Sequence, residues 1–255
     1  NPDYKGLMLT ISEALEKANK NTLLISVDNH KDSLAISRSV LDKVKNKVII
    51  DHHRRSEEFI SSPVLTYLEP SASSTVELLV ELFDYQQHEI EISSLDATIM
   101  YTGMLVDTNY FRQHVGTRTF QSAAKLKEAQ ADLSLAYELL EDSFECMKEI
   151  FDITESAYRY KDKFLIATGK DEELSRSTLA KAANQLVYVS GIYAAFAIGY
   201  ISKNTVAISA RSSKKVNVQM IMENDALHGG GHFSMAACQI ENVTIEEAKE
   251  RLEHA

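Results

Sequence analysis

The sequence is poor in the residues that mark several protein classes. Only 3 of its 255 residues are proline and 9 are glycine, so collagen-like repeats and low-complexity linkers are excluded. Its 2 cysteines, Cys146 and Cys238, lie far apart and belong to no CxxC motif. We therefore expect no disulfide framework, a reducing compartment, and thiols that behave as small buried hydrophobes.

Basic residues are also scarce. The chain has 27 Lys and Arg against 37 Asp and Glu, a formal net charge of −10. Proteins that hold long nucleic acids through counterion release usually present a basic surface, so the composition disfavours a long nucleic acid as partner. A small anionic ligand is compatible with this charge if a few basic groups or a metal neutralise it locally.

The sequence contains no clear membrane or targeting segment. It opens without a cationic start and an apolar run, so no signal peptide is expected. Residues 182–202 carry no charge and are about as long as a bilayer crossing. Polar Asn184 and Gln185 and the Ser-Gly break at 190–191 instead favour a buried helix followed by a buried strand.

Apolar periodicity divides the chain into an alternating first half, a helical middle and a different last third. In the first half we predict helices over 7–20, 33–45, 73–84 and 93–106, and strands over 22–27, 47–50 and 64–68. Continuous apolar strands of this kind indicate a parallel sheet covered on both faces. Ser74 and Glu77 have the spacing of a capping box.

The middle of the chain, 116–160, is charge-rich and helical, with no strand signal. In the last third we predict strands over 164–167, 192–201, 205–210 and 236–240, and helices over 177–189, 216–223 and 245–252. Lys203 and Asn204 are suited to a hairpin turn between two of these strands.

The run Asp51, His52, His53, Arg, Arg at the end of a predicted strand is the sharpest chemical signal. Imidazole with carboxylate suits Mn, Fe, Zn and related divalent ions, and a ligand histidine needs an acceptor for its other ring nitrogen. The run therefore indicates a metal or phosphate site, with a polar surface turn as the alternative.

Asp28 and Asp107 each follow an apolar run directly. An isolated carboxylate in such a place is usually a helix cap or a solvated turn. In parallel sheets, however, chemistry sits at the carboxyl ends of strands. Asp and His ligands that converge there could hold two divalent ions and generate a hydroxide for in-line attack on phosphorus.

A second candidate site lies in the last third, where His228 is followed by Gly229, Gly230, Gly231 and His232. Consecutive glycines let the backbone approach a ligand closely and turn N–H groups towards an anion. His232 could donate to a phosphate that Arg211 pairs with bidentately. The alternative is a flexible turn beside an exposed arginine.

Taken together, the motifs resemble the DHH/DHHA1 phosphoesterase superfamily, and most closely the catalytic region of GdpP-type cyclic-di-AMP phosphodiesterases. The matching segments follow the family's order over most of the chain: VDNHK at 27–31, VIIDHHRR at 48–55, LEPSASST at 68–75, GMLVDTNYFRQHVGTRTF at 103–120, ISARS at 208–212, VNVQ at 216–219 and HGGGHFSMAA at 228–237. The resemblance implies an α/β chain with a parallel-sheet DHH domain at 1–140, a helical linker at 141–162 and a smaller mixed-sheet DHHA1 domain at 163–255.

The same resemblance implies roles for individual residues. Asp28 would bridge two Mn²⁺ ions, and His52 and Asp107 would complete one shell. Asp51 would orient the histidine pair, and His53 would face the phosphate as a catalytic and substrate-binding group. The remaining substrate contacts would come from Arg118, Arg211, Gly229, Gly230, Gly231 and His232.

One departure from the family concerns its first motif, HxxxDxD, which supplies three further metal ligands. The opening Asn-Pro-Asp at 1–3 lacks the preceding histidine and the following aspartate. We therefore expect a DHH domain that is incomplete at its N-terminus, and a chain that alone binds metal weakly and is inactive. His228 is a smaller departure, because the family usually has another glycine there.

The leading hypothesis is a manganese-dependent phosphodiesterase that hydrolyses cyclic-di-AMP to pApA by means of a dinuclear metal-activated hydroxide. One alternative is a nanoRNase or RecJ-like phosphodiesterase for short oligonucleotides, and another is a non-catalytic nucleotide-binding fragment. The resemblance further implies second-messenger signalling, a homodimer, a cytoplasmic location without membrane contact by this chain, and a parent protein anchored by upstream segments.

Overall fold

The computed structural model describes residues 6–86, 91–213 and 215–255. The expectation that no leader opens the chain rests partly on residues 1–5, which lie outside this range. The chain divides into two compact units, Asn1–Glu141 and Asp142–Ala255. Both combine helices with a sheet, and the predicted α/β class is confirmed.

The first unit is built on a short parallel sheet. Its described elements are α1 Ile11–Lys17, β1 Leu23–Val27, α2 Arg38–Lys43, β2 Asn46–Asp51, β3 Leu65–Leu68, α3 Thr75–Phe83, α4 Ser94–Asp107, α5 Thr117–Glu128 and α6 Leu133–Glu138. The strand order is β1-β2-β3, and both pairings are parallel, as predicted. The carboxyl ends of β1 and β2 therefore lie at the same edge of the sheet.

The strands of this sheet differ in how deeply they are buried. The central strand β2 is largely buried, with Ile49 and Ile50 at 0% and 6% exposure. The edge strand β1 keeps Leu23, Ile25 and Val27 about half exposed. The expectation of a sheet covered on both faces is thus only partly met at β1, where this row of side chains stays about half exposed.

Helix α3 begins where the sequence predicts, with the Ser74 side chain accepting the amide of Glu77. The reciprocal half of the predicted capping box differs. The Glu77 carboxylate accepts the amide and hydroxyl of Ser73 instead of the Ser74 amide. This shift fixes the turn that precedes the helix.

The second unit holds a larger, mixed sheet. Its described elements are α7 Phe144–Glu155, β4 Tyr158–Tyr160, β5 Phe164–Thr168, α8 Arg176–Leu186, β6 Ala194–Ser202, β7 Thr205–Ser212, α9 Val218–Met222, β8 Gly230–His232, β9 Met235–Glu241 and α10 Ile245–His254. The strand order is β4-β5-β6-β7-β9-β8, with β5 and β6 parallel and the other pairs antiparallel. Successive residues of β6 point to opposite faces, and Ala197 and Ile198 are buried in separate hydrophobic clusters, so both faces of this sheet are covered.

Two features of the second unit differ from the sequence-based expectation. The helical linker predicted at 141–162 does contain α7, but Ile150 and Ile153 of that helix are buried in a core cluster of the second unit. Residues Tyr158–Tyr160 form an edge strand rather than helix. Periodicity misses so short a strand because three residues do not complete an alternation that can be told from helix. The predicted domain bounds themselves stay a prediction.

The uncharged run at 182–202 is split between a helix and a strand, as expected. Helix α8 ends at Leu186, and β6 begins at Ala194. Among the described residues, no helix combines the length and apolarity that a bilayer crossing needs.

Candidate metal centre and phosphate-binding elements

Asp28 directly follows β1 at the edge where the parallel strands end. Its amide donates to the Ile50 carbonyl at 2.9 Å, which continues the ladder to β2. Its backbone is left-handed, with φ of 61°, a conformation that Asp tolerates better than most residues. The hydroxyl of Thr75 donates to its Oδ1 at 2.8 Å, so the carboxylate is held on one side while remaining half exposed.

His52 presents one ring nitrogen to the two aspartates predicted as its partners. Its Nε2 lies 3.5 Å from Asp28 Oδ1 and 4.0 Å from Asp107 Oδ2. On the other side of the ring, Nδ1 lies 3.3 Å from the Ala72 carbonyl, which can only accept. In the neutral imidazole this assigns the proton to Nδ1 and leaves the lone pair of Nε2 directed at the carboxylates.

Asp107 is the last residue of α4, as the apolar run before it predicts. Burial raises the pKa of its carboxyl to about 6, the nearby His52 opposes this, and the negative charge of Asp28 adds to it. Asp107 therefore gives up its proton less readily than an exposed aspartate, in part because of the neighbouring charge of Asp28. A bound cation would relieve that repulsion.

Asp51 plays a different part from Asp28 and Asp107, because it is fully buried. Its Oδ1 accepts the amide and Nδ1 of His53 at 3.1 and 2.7 Å, and its Oδ2 is 2.6 Å from His30 Nδ1. Burial favours a higher pKa, but the hydrogen bonds from His53 and His30 outweigh it and hold the pKa well below its usual range. Asp51 thus orients His53 and His30, whereas the resemblance had it orient the pair His52 and His53.

His53 is held by Asp51 and faces the same space as Asp28. The hydrogen bond to Asp51 raises its pKa, burial opposes the shift, and the charge of Asp51 adds to it. Ligand atoms of Asp28, His52 and His53 lie within 4.8 Å of one another. Nδ1 of His53 is already bonded to Asp51, and Nε2 of His52 lies 4.0 Å from Asp107 as well as near Asp28. A mixed carboxylate and imidazole set of this kind fits a divalent transition metal.

His30, a residue not singled out as a site residue from sequence, completes this centre. It is 1% exposed, and the amide of Ser56 donates to its Nε2 at 3.2 Å. Nε2 is therefore an acceptor, and Nδ1 carries the proton donated to Asp51. The signal for His30 was present in the motif VDNHK, but its partner lies 21 residues away.

Arg118 lies in a different environment from the substrate contact that the resemblance implies. Its guanidinium is 2.5 Å from Glu81 Oε2 and 3.5 Å from Glu77 Oε1, both on α3. Burial alone would lower its pKa, but the charges of Glu81 and Glu77 reverse the effect and raise it. Its role towards substrate stays a prediction.

The second unit aligns two of the predicted phosphate-binding residues on one face of its sheet. Met235 on β9 pairs with Arg211 on β7 and with His232 on β8. Residues paired directly across strands point to the same face, so Arg211 and His232 flank Met235, about 10 Å apart across two strand spacings. Burial lowers the pKa of Arg211, which also donates to the Ala210 carbonyl.

The three glycines next to Arg211, Met235 and His232 are glycine for different structural reasons. A Cβ on Gly229 would lie 2.4 Å from the Ala237 carbonyl oxygen, and one on Gly231 would lie 2.4 Å from that of Met235. Both glycines are thus required by close packing of β8 on β9. Gly230 has open space where its Cβ would be, so it is the one that leaves room for a ligand. His228 has φ of 49°, a left-handed conformation that glycine adopts more readily than other residues.

The motifs and this geometry agree with the comparisons to known proteins. The DHH family N-terminal domain matches residues 3–104, and the DHHA1 domain matches residues 161–255. The chain belongs to the DHH/DHHA1 family.

Among curated relatives of this DHH/DHHA1 chain, the cyclic-di-AMP phosphodiesterase PdeA of Listeria monocytogenes is 42% identical, over 98% of this chain and 40% of its own length. The cyclic-di-AMP phosphodiesterase GdpP of Bacillus subtilis is 41% identical, over 97% of this chain and 38% of its own length. The chain thus spans about two fifths of these relatives.

The fold is also seen in a solved structure. An exopolyphosphatase-related protein from Bacteroides fragilis superposes with a TM-score of 0.78 at 20% identity, covering 91% of this chain and 71% of that protein. At this identity, the likeness concerns the fold alone.

Proposed function

We propose that the chain is the catalytic region of a manganese-dependent phosphodiesterase that hydrolyses cyclic-di-AMP to pApA. The observation that carries the proposal is the meeting of Asp28, His52 and Asp107 around one space at the end of a parallel sheet. Two relatives above 40% identity are named for this activity, which supports the substrate class. The two-ion site of the family and the identity of the metal are part of the proposal.

The residues of the first unit then have separate tasks. Asp28, His52 and Asp107 would hold a divalent ion, which supplies an activated water and an electrophile for the phosphodiester. His53, kept protonated more readily by Asp51, faces the same space and would donate to the phosphate oxygen. Asp51 itself, with three donors, holds the ring of His53 and takes no proton.

The residues of the second unit would bind the nucleotide. Arg211 and His232 present two donors on one sheet face, and Gly230 leaves open space beside them. A guanidinium and an imidazole suit a phosphate, and a short dinucleotide needs few such contacts. The net charge of −10 agrees with a small anionic substrate rather than a polymer.

The test uses the full-length protein that contains this chain. Chromatography of the reaction products should show pApA formed from cyclic-di-AMP only when Mn²⁺ is present. We expect Asp28→Asn to reduce turnover by at least about 100-fold, because removing the charge of a ligand disrupts the ion site. Lys31→Ala, next to the same motif, is the matched control and should retain activity.

Three results would contradict the proposal. Absence of pApA at full metal loading would remove the assigned reaction. Faster cleavage of RNA of two to five nucleotides would favour a nanoRNase-type enzyme instead. Calorimetric binding of the nucleotide without Mn²⁺ and without hydrolysis would favour a non-catalytic nucleotide-binding module.

The cellular setting is also proposed from the relatives. We place the chain in the cytoplasm as part of a second-messenger pathway, within a parent protein anchored to the membrane by upstream segments, and as a homodimer. Fractionation of cells that express the full-length protein tests the membrane anchoring, and light scattering of the purified chain tests the homodimer.

A further inference from the structure

The turn at 72–75 contacts two of the candidate metal ligands from outside the ion site. The Ala72 carbonyl accepts Nδ1–H of His52 at 3.3 Å, and the Thr75 hydroxyl donates to Asp28 Oδ1 at 2.8 Å. That Oδ1 is also the Asp28 atom 3.5 Å from His52 Nε2. The turn thus selects the nitrogen that His52 presents and restrains the carboxylate of Asp28.

Buried Glu77 fixes this turn. Its side chain is 3% exposed, and Oε2 accepts from the amide and hydroxyl of Ser73, at 3.2 and 2.7 Å. The same oxygen accepts the Thr119 hydroxyl of α5 at 2.9 Å, and Oε1 lies 3.5 Å from Arg118 Nε. A buried carboxylate with these partners has little freedom to move, so it ties the turn to α3 and α5.

From this arrangement, and resting on the proposed function, we propose that Thr75 is a positioning residue for the metal ligand Asp28. Its hydroxyl holds Oδ1 beside His52, and the anchored turn keeps that hydroxyl in place. Groups that orient ligands in this way change metal affinity by about 10–100-fold when they are removed. Thr75 acts through Asp28 and makes no step of the reaction itself.

The decisive variant is Thr75→Val, which keeps the branched shape of the side chain and removes only the hydroxyl. We expect it to weaken Mn²⁺ binding about tenfold or more in calorimetric titration, while Thr75→Ser restores affinity to within about twofold of wild type. The matched control is Thr98→Val on α4. Thr98 is equally well buried, but its hydroxyl donates to the Ser94 carbonyl and has no contact with the metal ligands. This control should lower stability without changing Mn²⁺ affinity.

A second measurement separates this proposal from the proposed function. Metal-free crystal structures of wild type and Thr75→Val should show the Asp28 carboxylate turned away from His52 in the variant, with the 3.5 Å separation lengthened. The proposal requires both changes, so an unmoved carboxylate or an unchanged Mn²⁺ affinity overturns it. These measurements use the full-length protein. If its wild type binds no Mn²⁺, the proposed function is contradicted, and the position of Asp28 in the two crystal structures alone decides the role of Thr75.

Discussion

A single buried carboxylate, Asp51, orients two histidines of the first unit, His30 and His53. Asp51 is enclosed by donors from His53 on one oxygen and from His30 on the other, and none of its surface is exposed. In such a place a carboxylate is stable only while its donors remain. Removing one donor should therefore lower the free energy of unfolding strongly, and this loss can be measured separately from any loss of metal affinity.

We predict that His30→Ala lowers the free energy of unfolding by about 2–4 kcal/mol, since it removes a hydrogen bond to a buried charge and leaves that charge short of a donor. Urea denaturation measures the change. Replacement of the exposed His254 by alanine is the control, and it should alter the free energy by no more than about 0.5 kcal/mol. Equal values for the two variants would mean that His30 does not hold Asp51.

The two thiols are predicted to differ in reactivity. Cys238 is 4% exposed, and burial raises its pKa to about 12, whereas Cys146 is half-buried. Because the thiolate is the reactive form, Cys238 should stay unmodified at pH 8 while Cys146 reacts. A disulfide reagent such as DTNB should count one fast thiol in the native protein and two in denaturant. Cys146→Ser should abolish the fast one; two fast thiols in native wild type would contradict the prediction.

At the scale of elements, alanine substitutions at two neighbouring glycines beside β9 are expected to have different effects on stability. Gly229→Ala places a Cβ 2.4 Å from the Ala237 carbonyl oxygen and 2.6 Å from Cys238 Cβ. We expect it to lower stability by about 1–3 kcal/mol, as overpacking does, with a drop in thermal midpoint.

The matched partner of that variant is Gly230→Ala, where the new Cβ meets open space. It should leave the thermal midpoint within a degree or two, yet weaken pApA binding in calorimetric titration, because the methyl group fills room left for a ligand. Unchanged pApA affinity in this variant would remove Gly230 from the nucleotide site.

The elements and the site differ in how far sequence could predict them. Strands β1, β2, β6 and β7 were predicted because their apolar runs are long enough to separate strand from helix periodicity, and Asp28 and Asp51 then follow from strand order. The strands β4 and β8 have three residues each, which is too short for periodicity to distinguish strand from helix. Thr75 and Asp28 are 47 residues apart in sequence, so their contact could not be predicted from local sequence patterns.

At the scale of the whole molecule, net charge separates the candidate substrates. A protein that neutralises 6–10 phosphates loses about 10³–10⁵ in affinity between 50 and 200 mM salt. With 37 acidic against 27 basic residues, the chain has a poor supply of cations for such a contact. Among the predicted substrate contacts of the second unit, only Arg211 and His232 offer side-chain donors, a number that fits the proposed dinucleotide better than a polymer.

We therefore predict that the affinity of the full-length protein for cyclic-di-AMP falls by less than about tenfold over that salt range, because few phosphates are contacted. A 20-nucleotide single-stranded RNA serves as the comparison, and at 50 mM salt it should bind more weakly than the cyclic dinucleotide. Fluorescence anisotropy with labelled ligands at four salt concentrations gives both slopes. A steep slope for the RNA together with tight binding at low salt would require a basic track along the surface, and the acidic balance of this chain argues against one.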